Sequence, residues 1–304
     1  EKSVMRTYEQ CLKCFERQTA DACEMAGISP NERERVMRKV RDKIQSFPLD
    51  HPPVEMARDI HLVMRSAAGV EDPYADIKRK SNLACQSCLP LLRQKMRDSA
   101  DHFEAGLKLA IIGNMIDFGA YAASKIDLED IANIIEDGFE IPLTGDGVDA
   151  FRDMVADAKR ILYIGDNAGE CFFDHFLLEQ LPHEKLTYAV RGRAVLNDAT
   201  RQDAELAGIH HICRIISTGD CTPGVMLKYS SPIFRSTFQS SDLIIAKGQG
   251  NYESLSGRSD KTYAFLTKVK CDVIARDIGF AAGSSVVKLS YPESSVVSKE
   301  TVAG

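Results

Sequence analysis

The spacing of apolar residues divides the chain into two rhythms. Up to about residue 145 they recur at three- and four-residue steps, the period of a helix with one buried face. Val36, Val40, Ile44 and Phe47 make one such stripe, and Pro48, Pro52 and Pro53 end it. A second helical stretch runs from about Val54 to Ser66, and Phe103, Leu107, Ala110, Ile111 and Met115 mark a third. Asp127 has the position of an N-cap for a helix through Leu128, Ile131, Ile134 and Ile135, with Gly138 near its stop.

From about residue 155 short apolar runs replace the stripes. Ile161–Ile164, Leu186–Val190, Arg214–Ser217, Leu243–Ala246 and Asp272–Ala275 predict five strands. Phe172, Phe173, Phe176, Leu177 and Leu181 share one side of an intervening helix, and Asp198 to about Ala207 predicts another. Strands alternating with helices imply an α/β fold with a Rossmann-like, doubly wound, mainly parallel sheet. Residues 1–150 then form an N-terminal helical domain and residues 151–304 the α/β domain. The boundary is soft, because Gly145 to Gly147 also suit a turn inside one integrated fold. The last dozen residues are polar and read as a loose strand or tail.

Length and composition narrow the class. A chain of 304 residues, 44% hydrophobic and 27% charged, is an ordinary globular protein of one large or two smaller domains. A net charge of −6 excludes the basic footprint of a nucleic-acid binder. It leaves room for a small anionic substrate, since a pocket around a bound cation is locally positive. No run of about 18 apolar residues is present, so no transmembrane helix and no membrane partner are expected. The start, Glu1-Lys2-Ser3-Val4-Met5-Arg6, lacks the apolar core of a secretory signal and an initiating Met. Nine cysteines without an export signal argue for reduced thiols and a cytoplasmic location rather than a disulfide framework.

Three of the predicted strands end in polar clusters, and in a parallel sheet their C-terminal ends share the edge where ligands bind. The first is Gly165-Asp166-Asn167-Ala168-Gly169-Glu170. Asp166 and Asn167 offer hard oxygen ligands for Mg²⁺ or Mn²⁺, although residues of these types also simply cap helices. The second is Arg191-Gly192-Arg193 followed by Asn197-Asp198-Ala199-Thr200. Asp198 is a third candidate ligand and the arginines suit phosphate oxygens; equally, Asn197 or Asp198 caps a helix and the arginines are solvated. The third, Lys247-Gly248-Gln249-Gly250-Asn251-Tyr252-Glu253, is a glycine loop with a lysine able to reach phosphate. It lacks the P-loop order, so nucleotide binding by that route is not supported.

These clusters, in this order and preceded by Gly113-Asn114-Met115-Ile116-Asp117, resemble the damage-control phosphatase family. That family was long called domain-of-unknown-function family 89, and its members are metal-dependent phosphatases. The resemblance covers nearly the whole chain. It implies metal ligands at Asp166, Asn167 and Asp198, and a lysine near the phosphate at Lys247. It also implies substrate-side residues at Asn114 and Asp117, whose three-residue spacing puts both on one helical face.

Hydrolysis of a small phosphorylated metabolite, such as a phosphosugar or a phosphopantetheine-like or damaged metabolite, is the reaction so implied. A divalent Mn, Co, Ni or Mg would polarise phosphorus, and Lys247 with Arg191 or Arg193 would neutralise charge. Either metal-bound water, oriented or deprotonated by Glu170 or Asp117, or a site carboxylate forming a phosphoenzyme would attack. Two other readings stay open: an S-adenosylmethionine-dependent carboxyl methyltransferase, and a non-catalytic phosphometabolite-binding module.

Cys11-x-x-Cys14 and Cys85-x-x-Cys88 supply four thiolates, enough for a structural zinc site, and resemble the pairs of the family's microbial subgroup. Buried thiols or a redox pair fit the same residues. Cys23, Cys171, Cys213, Cys221 and Cys271 show no ligand spacing, and neither do His51, His61, His210 or His211.

Overall fold

A computed structural model of the chain describes residues 5–116 and 128–293. The chain opens with helices α1 (Glu9–Met25), α2 (Pro30–Ser46), α3 (Pro53–Ala68), α4 (Ala75–Ser87), α5 (Leu89–Asp98), α6 (His102–Gly113) and α7 (Leu128–Glu140). There follow β1 (Thr144–Gly145), α8 (Val148–Asp157), β2 (Ile161–Ile164), α9 (Cys171–Leu178), β3 (Leu186–Val190), α10 (Arg201–Leu206) and β4 (Arg214–Ser217). The last elements are α11 (Pro232–Ser240), β5 (Leu243–Lys247), α12 (Gly248–Leu255), β6 (Thr262–Lys268), α13 (Asp272–Ile278) and β7 (Ser285–Ser290).

The strands form one sheet in the order β1-β7-β6-β5-β2-β3-β4. All neighbours run parallel except β6 and β7. The α/β reading and its mainly parallel sheet therefore hold. Strand β2 is buried along its length because both faces are covered, as a continuous apolar run requires. Ile161 and Tyr163 point into the core shared with the N-terminal helices, while Leu162 and Ile164 point into the core under α11 to α13. Helix α6 is buried over most of its surface, leaving only His102, Glu104 and Lys108 towards the outside, and packs against both α9 and α7. A Cβ at its Gly106 would stand 2.8 Å from the Phe176 carbonyl oxygen, so the missing side chain sets how closely α6 approaches α9.

The helical segment and the sheet thus share one continuous core. Thr144 and Gly145, at the soft boundary, pair in register with Val286 and Val287 of β7.

Asp272–Ala275 is not a strand. It opens α13, with Asp272 in the first turn and Gly279, at φ 84°, closing it in the left-handed region. A four-residue apolar run satisfies either period, and these end signals decide for helix. The sheet is completed instead by β1, β6 and β7, giving seven strands among the described residues rather than five. The helix expected from Asp198 starts at Arg201, where Thr200 and Asp203 form a capping box, which leaves Asp198 in the preceding loop. Gly138 lies inside α7, two residues before its end, and Asp127 falls outside the described residues.

Candidate active site

The strand order reverses between β2 and β5, the switch point where a parallel sheet opens a crevice beyond its C-terminal edge. Register does the rest. Ile164 pairs with both Ala189 and Ala246, so the residues that follow, from Gly165, Val190 and Lys247 onward, emerge side by side.

Two of these loops are stitched together by backbone. Ala168 N–H donates to the Asn197 carbonyl (2.9 Å) and Ala199 N–H to the Asp166 carbonyl (2.7 Å). Asn167 and Asp198 form an isolated antiparallel bridge. The three expected ligands Asp166, Asn167 and Asp198 are thereby brought to one place. Leu196, in the same loop, has φ 46°, an uncommon value for a residue with a branched side chain. Such strain persists only where the surroundings over-determine it, and here it lies two residues before Asp198.

Glu170 ties this group to the helical segment. Its Oε2 accepts from Asn114 Nδ2 (3.1 Å) and Asn167 Nδ2 (2.9 Å). The same two amides donate to Asp166 Oδ2 at 2.8 and 3.0 Å. Asn114, at the C-cap of α6, is therefore part of the site. Asp117 lies outside the described residues.

Lys247 sits elsewhere than on an exposed phosphate-facing surface. Its ammonium is wholly buried and donates to the Ala110 carbonyl (2.8 Å), to Asp174 Oδ1 (2.5 Å) and to Glu170 Oε1. Those contacts use all three of its donors. Burial works against the charge, but Asp174 and Glu170 outweigh it and hold Lys247 above the usual lysine range. Asp174 also accepts from Tyr163 (2.7 Å) and Tyr188 (2.8 Å), two stacked rings of neighbouring strands. Burial pushes its carboxyl upward against the pull of Lys247. With two hydroxyls and an ammonium donating to it, the pair is ionised.

Arg191 is the cation nearest the expected ligands. Nε donates to Asp198 Oδ2 (2.6 Å), Nη2 donates to Asn251 Oδ1 (3.1 Å) and lies 4.0 Å from Asp166 Oδ1, and the buried Nη1 has no partner. Asn251 fixes the third loop by donating to the Gly165 and Lys247 carbonyls. Arg193 instead lies exposed, 3.9 Å from Glu71. Gly248, at φ 72°, passes so close that a Cβ there would be 1.9 Å from Asp166 Oδ2.

The electrostatics fit a divalent cation. Asp166, Glu170, Asp174 and Asp198 are four carboxylates whose direct cation partners among the described residues are two, Lys247 and Arg191, so carboxylates outnumber the cations that pair with them. Burial, then repulsion from Glu170 and Asp198, pushes the Asp166 carboxyl up to about 8. Burial raises Asp198 too, against the pull of Arg191. Among the described residues no donor reaches Asp166 Oδ1 or Asp198 Oδ1 within hydrogen-bond distance. No set of three or more His, Cys, Asp or Glu side chains able to hold a metal occurs among the described residues, so a cation here needs the Asn167 amide as well. Carboxylate and amide oxygens are the donors a hard divalent ion prefers. The same charge makes the crevice a poor cradle for an adenosyl group.

The paired cysteines do not assemble a four-thiol zinc site. Cys85 packs against Gly169, beside Glu170 and Cys88, whereas Cys11 neighbours Cys14, Cys271 and Glu253. Helices carry each pair to a different region, which a seventy-residue gap in sequence could not reveal. A cleft of about 800 Å³ lined by Asp101, Phe103, Arg152, Gln180 and Lys185 lies by the N-terminal ends of β2 and β3, away from this chemistry. Asp174, Tyr163 and Tyr188 escaped the sequence reading. The only trace was polar atoms inside apolar segments, an Asp within Phe172–Leu177 and a Tyr in each strand.

Comparison with known proteins agrees. The damage-control phosphatase ARMT1-like domain matches residues 7–286. A damage-control phosphatase of Archaeoglobus fulgidus is 35% identical over 240 residues, covering 77% of this chain and 81% of that protein. A damage-control phosphatase of Pyrococcus horikoshii is 32% identical over 286 residues, 93% of this chain and 97% of its own. The crystal structure of a family-89 protein from Pyrococcus horikoshii superposes with a TM-score of 0.85 at 33% identity, covering 93% of this chain and 98% of that one. The chain belongs to the damage-control phosphatase family of metal-dependent phosphatases.

Proposed function

We propose that this chain hydrolyses a small phosphorylated metabolite, a phosphosugar or a phosphopantetheine-like or damaged metabolite, with a divalent Mn, Co, Ni or Mg held by Asp166, Asn167 and Asp198. The observation that carries this reading is the convergence of Asp166, Asn167 and Asp198 in the switch-point crevice, beside a guanidinium with an unused donor. A bound divalent ion supplies Lewis-acid polarisation of a phosphoryl group.

The protein's own groups divide the remaining work. Arg191 offers Nη1 to a phosphoryl oxygen and keeps Asp198 in place. Glu170 is fixed by Lys247, Asn114 and Asn167, and on this reading orients or deprotonates water where water, rather than a site carboxylate, attacks phosphorus. Lys247 acts through Glu170 and Asp174 rather than by touching substrate. The site lies where the helical residues 1–150 meet the α/β residues 151–304, and Asn114 is the helical side's contribution to it. The reading also places the protein in the cytoplasm, on the strength of its free cysteines.

The test uses purified protein stripped by chelator and resupplied in turn with Mn²⁺, Co²⁺, Ni²⁺ and Mg²⁺. Hydrolysis across a panel of phosphate monoesters should return with metal and be lost in Asp198→Ala by several orders of magnitude. Absence of hydrolysis with every metal would defeat the reading. Unchanged turnover in the variant would remove Asp198 from the ligand set.

A further inference from the structure

Helix α3 carries a charge that nothing in the described residues answers. Arg65 is only 8% exposed, and its Nε, Nη1 and Nη2 are all buried without a hydrogen-bond partner. A guanidinium keeps its charge at any ordinary pH, so it cannot relieve this cost by losing a proton. Buried charges persist when something pairs with them, and a binding site is where the partner arrives from outside.

The surroundings say where that partner would sit. Arg58 and Arg65 are seven residues apart and share a face of α3. Arg58 reaches Asp220, with Nε 3.0 and 3.2 Å from its carboxylate oxygens. The Asp220 carbonyl accepts from the backbone N–H of Gly192 and Arg193, in the loop that leads from Arg191 to Asp198. The thiol of Cys221, next in sequence, feels the positive charge of Arg65, Arg58 and Arg193 together. Of these three guanidiniums, Arg58 has Asp220 and Arg193 has Glu71, whereas Arg65 has neither. The unanswered cation therefore flanks the loop that bears Arg191 and Asp198, on the helical side of the site.

We propose that Arg65 receives a second anionic group of the substrate, a carboxylate or a further phosphate, distinct from the phosphoryl group that is cleaved. This inference rests on the phosphatase reading above and names a feature of the substrate that the reading left open: it carries two acidic groups. Arg65 is then a specificity-determining residue, and monoesters with a neutral remainder bind without its contribution.

The test is calorimetric titration of the manganese-supplied full chain with non-hydrolysable phosphonates of graded chain length. Three matched series serve: alkylphosphonates, ω-phosphonocarboxylates and α,ω-bisphosphonates. At one length, an acid-bearing series should bind about tenfold or more tightly than the alkylphosphonate, the size of a charge-assisted hydrogen bond. Which acid-bearing series gains identifies the second group as carboxylate or phosphate. In Arg65→Ala and Arg65→Met the ratio between the series should collapse to about one, a change that a merely structural role would not produce. A second readout needs no ligand: Arg65→Met removes an uncompensated buried charge at similar volume and should raise the melting temperature of the empty protein. Phosphonate binding with no advantage for the second acid, an advantage that survives in Arg65→Ala, or a lowered melting temperature would overturn the inference alone. No binding of any phosphonate together with no hydrolysis would overturn the phosphatase reading and this inference with it.

Discussion

Lys247 donates to Asp174 at 2.5 Å, with both side chains wholly buried, one from the end of β5 and the other from within α9. The pair lies one step behind the candidate ligands, since Lys247 also holds Glu170, and Glu170 holds Asn167. An ammonium with two carboxylates and a carbonyl around it is a fixed support rather than a free charge. That arrangement explains why a lysine in a glycine loop, which reads as a phosphate contact, points into the protein instead.

Breaking this support should cost stability as well as activity. Asp174→Ala removes the acceptor of Tyr163, Tyr188 and Lys247 together and should destabilise the fold by about 3–5 kcal/mol in urea unfolding. Lys247→Met leaves Glu170 and Asp174 buried without their cation and should cost at least as much. Asp174→Asn retains the shape and should cost least. A smaller loss for Lys247→Met than for Asp174→Asn would contradict the ionised pair.

Much of this site was legible because its parts sit at strand ends. Asp166, Asp198 and Lys247 each follow an apolar run, and a parallel sheet brings such ends together whatever the connections between them. Asp174 was hidden for the opposite reason. It interrupts an apolar helix face, and only the tertiary fold reveals that two tyrosines and a lysine meet there. Arg65 gave no signal, because one arginine on an amphipathic helix is ordinarily solvated. Strand β6 is not evident in the sequence because Thr262-Tyr263-Ala264-Phe265-Leu266-Thr267-Lys268 follows a polar turn and ends in no recognisable motif, although Lys268 N–H donates to Asn114 Oδ1 there (3.3 Å). Asp272–Ala275, by contrast, mimics a strand by brevity alone.

Two glycines separate backbone strain from crowding of the site. Gly248 and Gly279 have φ 72° and 84°, so alanine at either should cost about 1–2 kcal/mol. A Cβ at Gly279 meets nothing within 4 Å, whereas at Gly248 it would lie 1.9 Å from Asp166 Oδ2. Gly279→Ala should therefore lower the melting temperature and leave manganese affinity alone. Gly248→Ala should lower the melting temperature and the metal affinity together, the affinity measured by calorimetry falling about 10-fold or more. Equal metal affinities in the two variants would separate Asp166 from the cation.

Metal binding should be visible as stability, independent of turnover. A ligand held only by the native state stabilises it by about 2.7 kcal/mol at a hundred times its Kd. Scanning calorimetry with increasing Mn²⁺ or Mg²⁺ should raise the melting temperature of the wild type and of Asp174→Asn. It should leave Asp198→Ala unmoved at the same concentrations. Asp166→Ala should behave likewise, and it also removes the carboxyl that burial and its neighbours raise to about 8, so its empty form need not be less stable. A thermal shift that persists in both aspartate variants would place the metal elsewhere.

Acid sensitivity should trace largely to His61 on α3. This imidazole is 3% exposed, beside the Tyr74 ring and under the charge of Arg65. Burial, with Arg65 adding to it, lowers its pKa from 6.5 to about 3. The folded value lies below the unfolded one, so the unfolded chain binds more protons across that interval. The stabilisation is present above about pH 6.5 and is lost as the pH falls towards 3. Each pH unit within the interval costs up to about 1.4 kcal/mol. Urea unfolding of wild type should therefore weaken by about 2 kcal/mol more than that of His61→Leu between about pH 7 and pH 5. The packing cost of the substitution cancels in that comparison, because it is the same at both pH values. Arg65→Met should reduce the effect in part by removing a like charge from beside the ring, while an identical pH response in wild type and His61→Leu would assign the acid sensitivity to other groups.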